Sequence, residues 1–169
     1  MESDPDRVAR LAIERQDENW RFMRFLKRSS RLSAGRIDAL AARLAAEAET
    51  RIDCTECGAC CRDNCITVNN DEIAALARRV DLDIETFRDR YIIEDDDGQP
   101  AIDATPCPFL NGRRCTIYED RPEACRGYPY IGMAFVDGMV GFLERAGTCP
   151  IIFETFEQLK RKTGFSRYV

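Results

Sequence analysis

The chain has 169 residues, 44% of them hydrophobic and 33% charged, with 25 basic and 30 acidic side chains and a formal net charge of −5. That length and apolar content suit one compact soluble domain, or one with an appended helical arm, and the acidic balance argues against a general nucleic-acid binder. Nine cysteines stand beside no histidine, which removes Ser-His-Asp and Cys-His nucleophile systems and most catalytic zinc sites.

The start of the chain, Met1-Glu2-Ser3-Asp4-Pro5-Asp6-Arg7, is charged and has no apolar leader core. No apolar run approaches the ~18–20 residues needed to span a bilayer, so a cytoplasmic protein without membrane contact is expected. Residues 1–50 are predicted to form a helical arm. Val8 and Leu11, then Phe22, Phe25 and Leu26, then Ile37, Leu40 and Leu44 recur at helical spacing. A break is expected at Ser33–Gly35, with Ser33 as N-cap of a second helix through Ala48, the two forming a hairpin that packs on the cysteine region. Arg21, Arg24, Arg28 and Arg31, beside Lys27, fall on one face, which is read as a solvated helix surface in preference to a docking site for an anionic partner. Trp20 is expected to be a packing anchor.

Residues 51–150 are predicted to be a cysteine-cluster metal-binding domain. A loop carries Cys54, Cys57, Cys60, Cys61 and Cys65. A short helix then opens at Asn70-Asp71-Glu72 with Asp71 as candidate N-cap and Ile73, Leu76, Ala77 and Val80 buried. Asp83 is expected to cap another, with Phe87 and Tyr91 inward at i, i+4. Ile92-Ile93-Glu94 and Ala101-Ile102 suggest two strands joined by the turn Asp95-Asp96-Asp97-Gly98; the three aspartates lack the full ligand pattern of a calcium loop. Asn111-Gly112 predicts a type I′ hairpin turn, carrying Cys107 and Cys115 on its two arms. Pro122 is expected to open a helical turn through Cys125 and Arg126. Asp137-Gly138 is a second possible hairpin turn. Residues 151–169 are predicted to be a C-terminal helix on the same domain, running to about Lys162 and burying Ile152, Phe153, Phe156 and Leu159. The expected class is α+β, mostly helical, with a metal-organised core of loops and short hairpins.

The spacing Cys54-x-x-Cys57-x-x-Cys60-Cys61 lets successive thiolates curl about one centre. Cysteine is about 5% of the chain, below the ~8–10% of disulfide scaffolds, and in a reducing compartment clustered thiols mean metal more often than disulfides. The run begins like the ferredoxin pattern C-x-x-C-x-x-C-x-x-x-C-P and then departs from it: Asn64 takes the fourth position, and Cys65 follows one residue late, before Ile66 rather than proline. A closing ligand must come from farther along, where Cys107-Pro108 and Cys149-Pro150 both present themselves. Zinc is the rival, since four thiolates from two loops complete a tetrahedral site. Adjacent Cys60 and Cys61 are expected to diverge and to serve different centres. Spacing alone leaves iron–sulfur and zinc open.

A resemblance rests on these residues. Cys54-Thr55-Glu56-Cys57-Gly58-Ala59-Cys60-Cys61-Arg62, then Cys107-Pro108-Phe109-Leu110, then Cys115-Thr116-Ile117-Tyr118-Glu119-Asp120-Arg121-Pro122-Glu123-Ala124-Cys125-Arg126-Gly127-Tyr128-Pro129, and finally Cys149-Pro150, resemble the YkgJ-type cysteine-cluster family. The resemblance covers about Asp53 to Pro150. It implies a zinc- or iron-chelating domain of a kind often loosely called an iron–sulfur oxidoreductase, with Cys54, Cys57, Cys60, Cys61, Cys107, Cys115, Cys125 and Cys149 as metal ligands. Cys65 lies outside that set and is read as a buried or inert small residue, ahead of an extra ligand or a redox thiol. Flagellin lysine N-methylases carry a similar cluster within a larger chain.

Arg62, Arg121 and Arg126 are candidates to offset thiolate charge, or else to pair with Asp63, Glu119, Asp120 and Glu123, and amides near Gly58 and Gly127 are candidate donors to sulfur. Tyr118, Tyr128 and Tyr130 are expected to wall the metal loops. No phosphate-binding or dinucleotide-binding glycine motif is present, and no carboxylate pair is singled out. Three functions therefore follow, in order of preference. The first is an iron–sulfur protein for electron transfer, redox sensing or cluster-dependent chemistry, working with a protein partner. The second is a structural zinc–thiolate module that presents a partner-binding surface. The third is a methyltransferase-like enzyme using the cluster. The sequence names no catalytic residue.

Overall fold

A computed structural model describes residues 1–28, 32–102, 105–132 and 134–166. In chain order, helices α1 (Pro5–Glu14), α2 (Gln16–Arg28) and α3 (Ala34–Glu49) precede a single helical turn, α4 (Cys54–Cys57). Strand β1 (Ile66–Thr67) follows, then α5 (Asn70–Arg79), α6 (Ile84–Tyr91), β2 (Ile92–Glu94) and β3 (Pro100–Ile102). Next come β4 (Leu110–Asn111), β5 (Arg114–Cys115), α7 (Glu123–Gly127), α8 (Met139–Glu144) and α9 (Pro150–Thr163). The described residues are thus mostly helical α+β, with short antiparallel strands and with eight of the nine cysteines between Cys54 and Cys125.

Two compact units result, one from Met1–Asp53 with Pro129–Val169 and the other Cys54–Tyr128. The last helix, expected with the cysteine region, belongs to the unit of the N-terminal helices. The reason is in its side chains: α9 buries Ile151, Ile152, Phe153, Phe156 and Leu159, and its main neighbour is α3, which offers Ile37, Ala41, Leu44, Ala45 and Ala48. Small alanines let the two helices approach closely, and the large residues come from α9. Phe156 sits edge-on to Phe22 of α2, centroids 6.5 Å apart, and tilted on Phe135 at 5.4 Å.

The arm also breaks once more than its periodicity suggested, at Arg15, between α1 and α2. Arg15 has a job there: its guanidinium bonds to Glu157 and lies over the Phe153 ring. Glu157 in turn accepts from Lys160 at 2.7 Å, and Lys160 also donates to Glu18 at 2.8 Å. The Lys160 side chain is only 5% exposed, so this is a buried, charge-balanced network. Arg21, Arg24 and Arg28 are exposed, while Arg31 lies outside the described residues. Trp20 is half-buried. Around Asp137-Gly138 the chain does not turn back as a hairpin but runs into α8, where Met139 and Leu143 are buried. Pro150 opens α9 at the first position, and Gly164, at φ 71°, closes it in the left-handed conformation that glycine adopts without strain.

In the cysteine unit β1, β3 and β2 form a three-stranded antiparallel sheet with β3 in the middle; Ile102 faces Ile66 on one side and Ile92 on the other. The sheet covers a small core of Val68, Ile73, Leu76, Ala77, Phe87, Ile102, Phe109 and Ile117. Phe87 meets Tyr91 at 5.1 Å and stacks on Phe109 at 6.2 Å. Asp83 caps α6 through the Thr86 amide. The cap of α5 is Asn69 rather than Asp71: Asn69 accepts from the Glu72 amide and Glu72 returns a bond to the Asn69 amide, a reciprocal pair that Asp71 has no acid three residues on to make. Asp95 accepts from the Asp97 and Gln99 amides, which makes the acidic stretch a turn.

Replacing Lys160 with methionine is expected to destabilise the fold by about 3 kcal/mol, because two buried carboxylates lose their shared cation. Arg43→Ala, which breaks an exposed pair with Glu47, is expected to cost less than about 0.5 kcal/mol. Urea unfolding of the two variants checks the contrast.

Candidate metal centre

The cysteine unit brings thiols together from several stretches of backbone. Cys57 ends α4, and Cys60 and Cys61 stand in the 3-10 turn Cys60–Arg62. The Cys107 amide donates to the Cys61 carbonyl at 2.7 Å, which ties the second stretch to the first. Cys115 lies in β5 opposite Leu110, and Cys125 lies in α7.

The hairpin between Cys107 and Cys115 forms, with its tip moved one residue on. Asn111 pairs with Arg114, so Gly112 and Arg113 are the central residues. Gly112 alone of the two has positive φ, at 63°, the pattern of a type II′ turn rather than type I′. That tip lies against the first cysteine stretch. Gly58 has φ 60°, and a Cβ there would stand 2.6 Å from the Arg113 carbonyl oxygen. Glycine at 58 therefore supplies the reversal after α4 and also the room for the hairpin. The Arg114–Glu56 ion pair, 2.7 Å long and exposed, spans the same junction.

The thiols sense one another. Burial raises the Cys57 thiol, and the charge of Cys61 raises it further. A hydrogen bond with the Cys60 thiol, together with burial, holds Cys61 protonated far above the ordinary thiol range. Adjacent Cys60 and Cys61 thus meet side chain to side chain instead of diverging. Burial lifts Cys107 to about 11 and Cys125 to about 12, with Cys61 adding to both. Cys115 is raised by burial and again by Cys61. Six thiols, those of Cys57, Cys60, Cys61, Cys107, Cys115 and Cys125, therefore share one electrostatic neighbourhood centred on Cys61.

Opposing these effects are groups that favour thiolate. The amide of Ala59 donates to Cys57, that of Phe109 to Cys107 and that of Ile117 to Cys115. In each case the donor is two residues beyond the cysteine, so a tight turn aims the N–H at the sulfur just before it. Arg62 lowers Cys57 and Cys61, Arg113 lowers Cys57, and Arg121 lowers Cys115 and Cys125. Arg121 lies over the Tyr118 ring, 3.6 Å from its centroid, and donates to the Tyr118 carbonyl at 2.6 Å. Arg126 instead clamps backbone, donating to the carbonyls of Arg121 and Glu119. Asp120 pairs with Arg79.

Amides that favour anionic sulfur, arginines beside it and an all-sulfur donor set fit a soft metal or a metal–sulfur cluster. Among the described residues, no three Cys, Asp or Glu side chains already surround one ion-sized point. Cys54 is exposed at the start of α4, and Cys65, expected to be buried, is instead exposed just before β1. Cys149 lies in the other unit, buried at the N-cap of α9. Tyr118 and Tyr128 are half-buried, whereas Tyr130 is 59% exposed and also lies in the other unit. Sequence reasoning anticipated a donor near Gly58, the Ala59 amide, and missed Arg113 and the amides of Phe109 and Ile117. The two-residue offset from cysteine to a turn amide was the available signal for the latter.

A family model described as "CxxCxxCC: Putative zinc- or iron-chelating domain" matches residues 53–150. No curated protein and no solved structure matches the chain significantly. The chain belongs to this cysteine-cluster family, and its cysteine region is a metal-chelating module.

Gly58→Ala is expected to cost at least ~2 kcal/mol, from left-handed strain and from the clash with Arg113, and to lower metal retention; urea midpoints and metal content measure the two effects. In reduced, metal-free protein at pH 8, Cys107 and Cys125 should react with iodoacetamide at least ~10-fold more slowly than in the urea-unfolded chain, because thiolate is the nucleophile and burial suppresses it. Peptide mapping reads both sites.

Proposed function

We propose that the cysteine unit holds an iron–sulfur cluster on thiolates drawn from Cys54, Cys57, Cys60, Cys61, Cys107, Cys115 and Cys125, and that the protein exchanges electrons or senses redox state through it, with a partner protein as the other party. The observation that carries this reading is the grouping of six thiols about Cys61, with amides of Ala59, Phe109 and Ile117 directed at three of the sulfurs. Bound there, a cluster would supply one-electron chemistry.

The chain's own residues set the conditions. The amides stabilise anionic sulfur and so would favour the more negatively charged, reduced state of a bound cluster, the more so the more strongly they donate. Arg62, Arg113 and Arg121 offset negative charge on the thiolate set. Partial burial of the thiols limits water, and Gly58 fixes the spacing between the first cysteine stretch and the hairpin. With no histidine in the chain, none of these groups is an acid–base catalyst poised near neutral pH.

Protein purified without air is expected to be brown, with iron and acid-labile sulfide in comparable amounts. Cys61→Ser should lose both, and Cys65→Ser should keep both. A colourless protein with stoichiometric zinc and no sulfide would replace the cluster with the structural zinc module.

A further inference from the structure

Helix α5 holds the stretch between Cys115 and Cys125 through a single carboxylate. Glu72 stands at the third position of α5, and its Oε2 accepts from the Asn69 amide at 2.9 Å, which completes the capping box. A capping box uses only one oxygen. The other, Oε1, accepts from the Glu123 amide at 2.8 Å, 51 residues along the chain. Glu123 is the first residue of α7, and Pro122 before it makes no side-chain cap. The first amide of α7 is therefore satisfied by a different helix, in the same turn that carries Cys125. Glutamine at position 72 would have one accepting oxygen and could not serve both amides.

This contact joins a firm base to a rigid segment. Ile73, Leu76 and Ala77 of α5 are buried in the hydrocarbon core of the cysteine unit together with Ile117, so packing places α5. Opposite it, Arg126 donates to the carbonyls of Arg121 and Glu119, and Arg121 to that of Tyr118, which ties the segment from Tyr118 to Arg126 together. Arg79 lies two helical turns after Glu72 and on the same face of α5, and it pairs with Asp120 of that segment at 2.8 Å. That pair is exposed on both sides and contributes little. The charge-assisted bond from the Glu123 amide to the half-buried Glu72 is the stronger of the two.

We propose that Glu72 is a positioning residue of the metal centre: through the Glu123 amide it fixes α7, and with it the place of the Cys125 sulfur among the other thiols. The proposal rests on the reading of Cys125 as a metal ligand.

Holoprotein purified without air is treated with iodoacetamide, and alkylation is mapped by peptide. Glu123→Pro deletes the donor N–H. Position 123 opens α7, where proline fits, and Pro122, at ψ 156°, already has the extended backbone that precedes a proline. Relative to Glu123→Ala, which keeps the amide, Glu123→Pro is expected to raise Cys125 alkylation by about 10-fold. It should leave Cys61 protected and change the sulfur-to-metal charge-transfer absorption in the direction that Cys125→Ser does. Glu72→Ala should act in the same way, and adding it to Glu123→Pro should raise Cys125 alkylation no further, because both changes remove the same bond. Asn69→Ala breaks the other half of the capping box; it should lower the urea midpoint and leave Cys125 protected. Unchanged Cys125 alkylation in Glu123→Pro, an equal rise at Cys61, or full additivity of the two changes would overturn the proposal. If Cys125→Ser keeps the metal and the absorption of the wild type, Cys125 is no ligand, and the metal reading of that residue falls together with this one.

Discussion

Thiols held partly out of water and crowded about Cys61 are the constraint on which the cysteine unit is built. Burial is the first cause raising Cys57, Cys107, Cys115 and Cys125, and each is raised again by a neighbouring thiol. Ionising several of them together without a cation is prohibitive, since each thiolate would repel the next in a poor dielectric. Yet the same sulfurs receive amide hydrogen bonds and face three arginines, features that are wasted on a neutral thiol. A metal centre reconciles the two sets of forces, because it supplies the positive charge that lets the sulfurs ionise together. The small hydrocarbon core of this unit makes the point sharper. Its largest members are Phe87 and Phe109, and its sheet strands are two or three residues long, so the unit has limited means to hold its loops by packing alone.

The helical unit follows different rules. Its stability comes from apolar faces meeting across α3 and α9 and from the aromatic contacts of Phe22, Phe135 and Phe156. The Glu18–Lys160–Glu157–Arg15 network is buried at its margin and balances to zero charge. Such a network adds little net stability relative to hydrocarbon, but it penalises any helix register that separates its members. It thereby explains why the chain turns at Arg15: the guanidinium must reach Glu157 and Phe153 together. The family match, residues 53–150, crosses from the cysteine unit into this one. The division into compact units and the extent of the family pattern are therefore not the same boundary, and Cys149 is the cysteine that marks the difference.

Much of the fold was legible where a local rule has one answer. Asp83 as a cap, the two strands around the aspartate turn and the buried stripe of α9 all follow from short-range chemistry. The errors arose where two local answers compete. Asn69 displaced Asp71 as a cap because only Asn69 has Glu72 at the third position. Asn111-Gly112 satisfies a type I′ turn as a dipeptide, but the register Leu110–Cys115 moved the tip to Gly112-Arg113. Asp137-Gly138 carries a turn signal that served to enter a helix. The association of α9 with α3 was not legible, because an apolar stripe states that a helix is covered and does not state by what.

The candidate site was legible in composition but not in its organisation. Spacing selected the cysteines, yet only the folded chain shows Cys61 as the thiol that four others sense. Its position follows from backbone rather than side chain: the Cys107 amide bonds to the Cys61 carbonyl, and Gly58 admits the hairpin tip close to α4. Once those two contacts hold the first stretch, the hairpin's two cysteines are carried to it whatever their rotamers. This is why Gly58 and Arg113, neither of them a sulfur ligand, belong to the metal centre as much as the thiols do. A motif records the atoms that touch the metal, while the residues that bring those atoms together are fixed by backbone clearances that no spacing reveals.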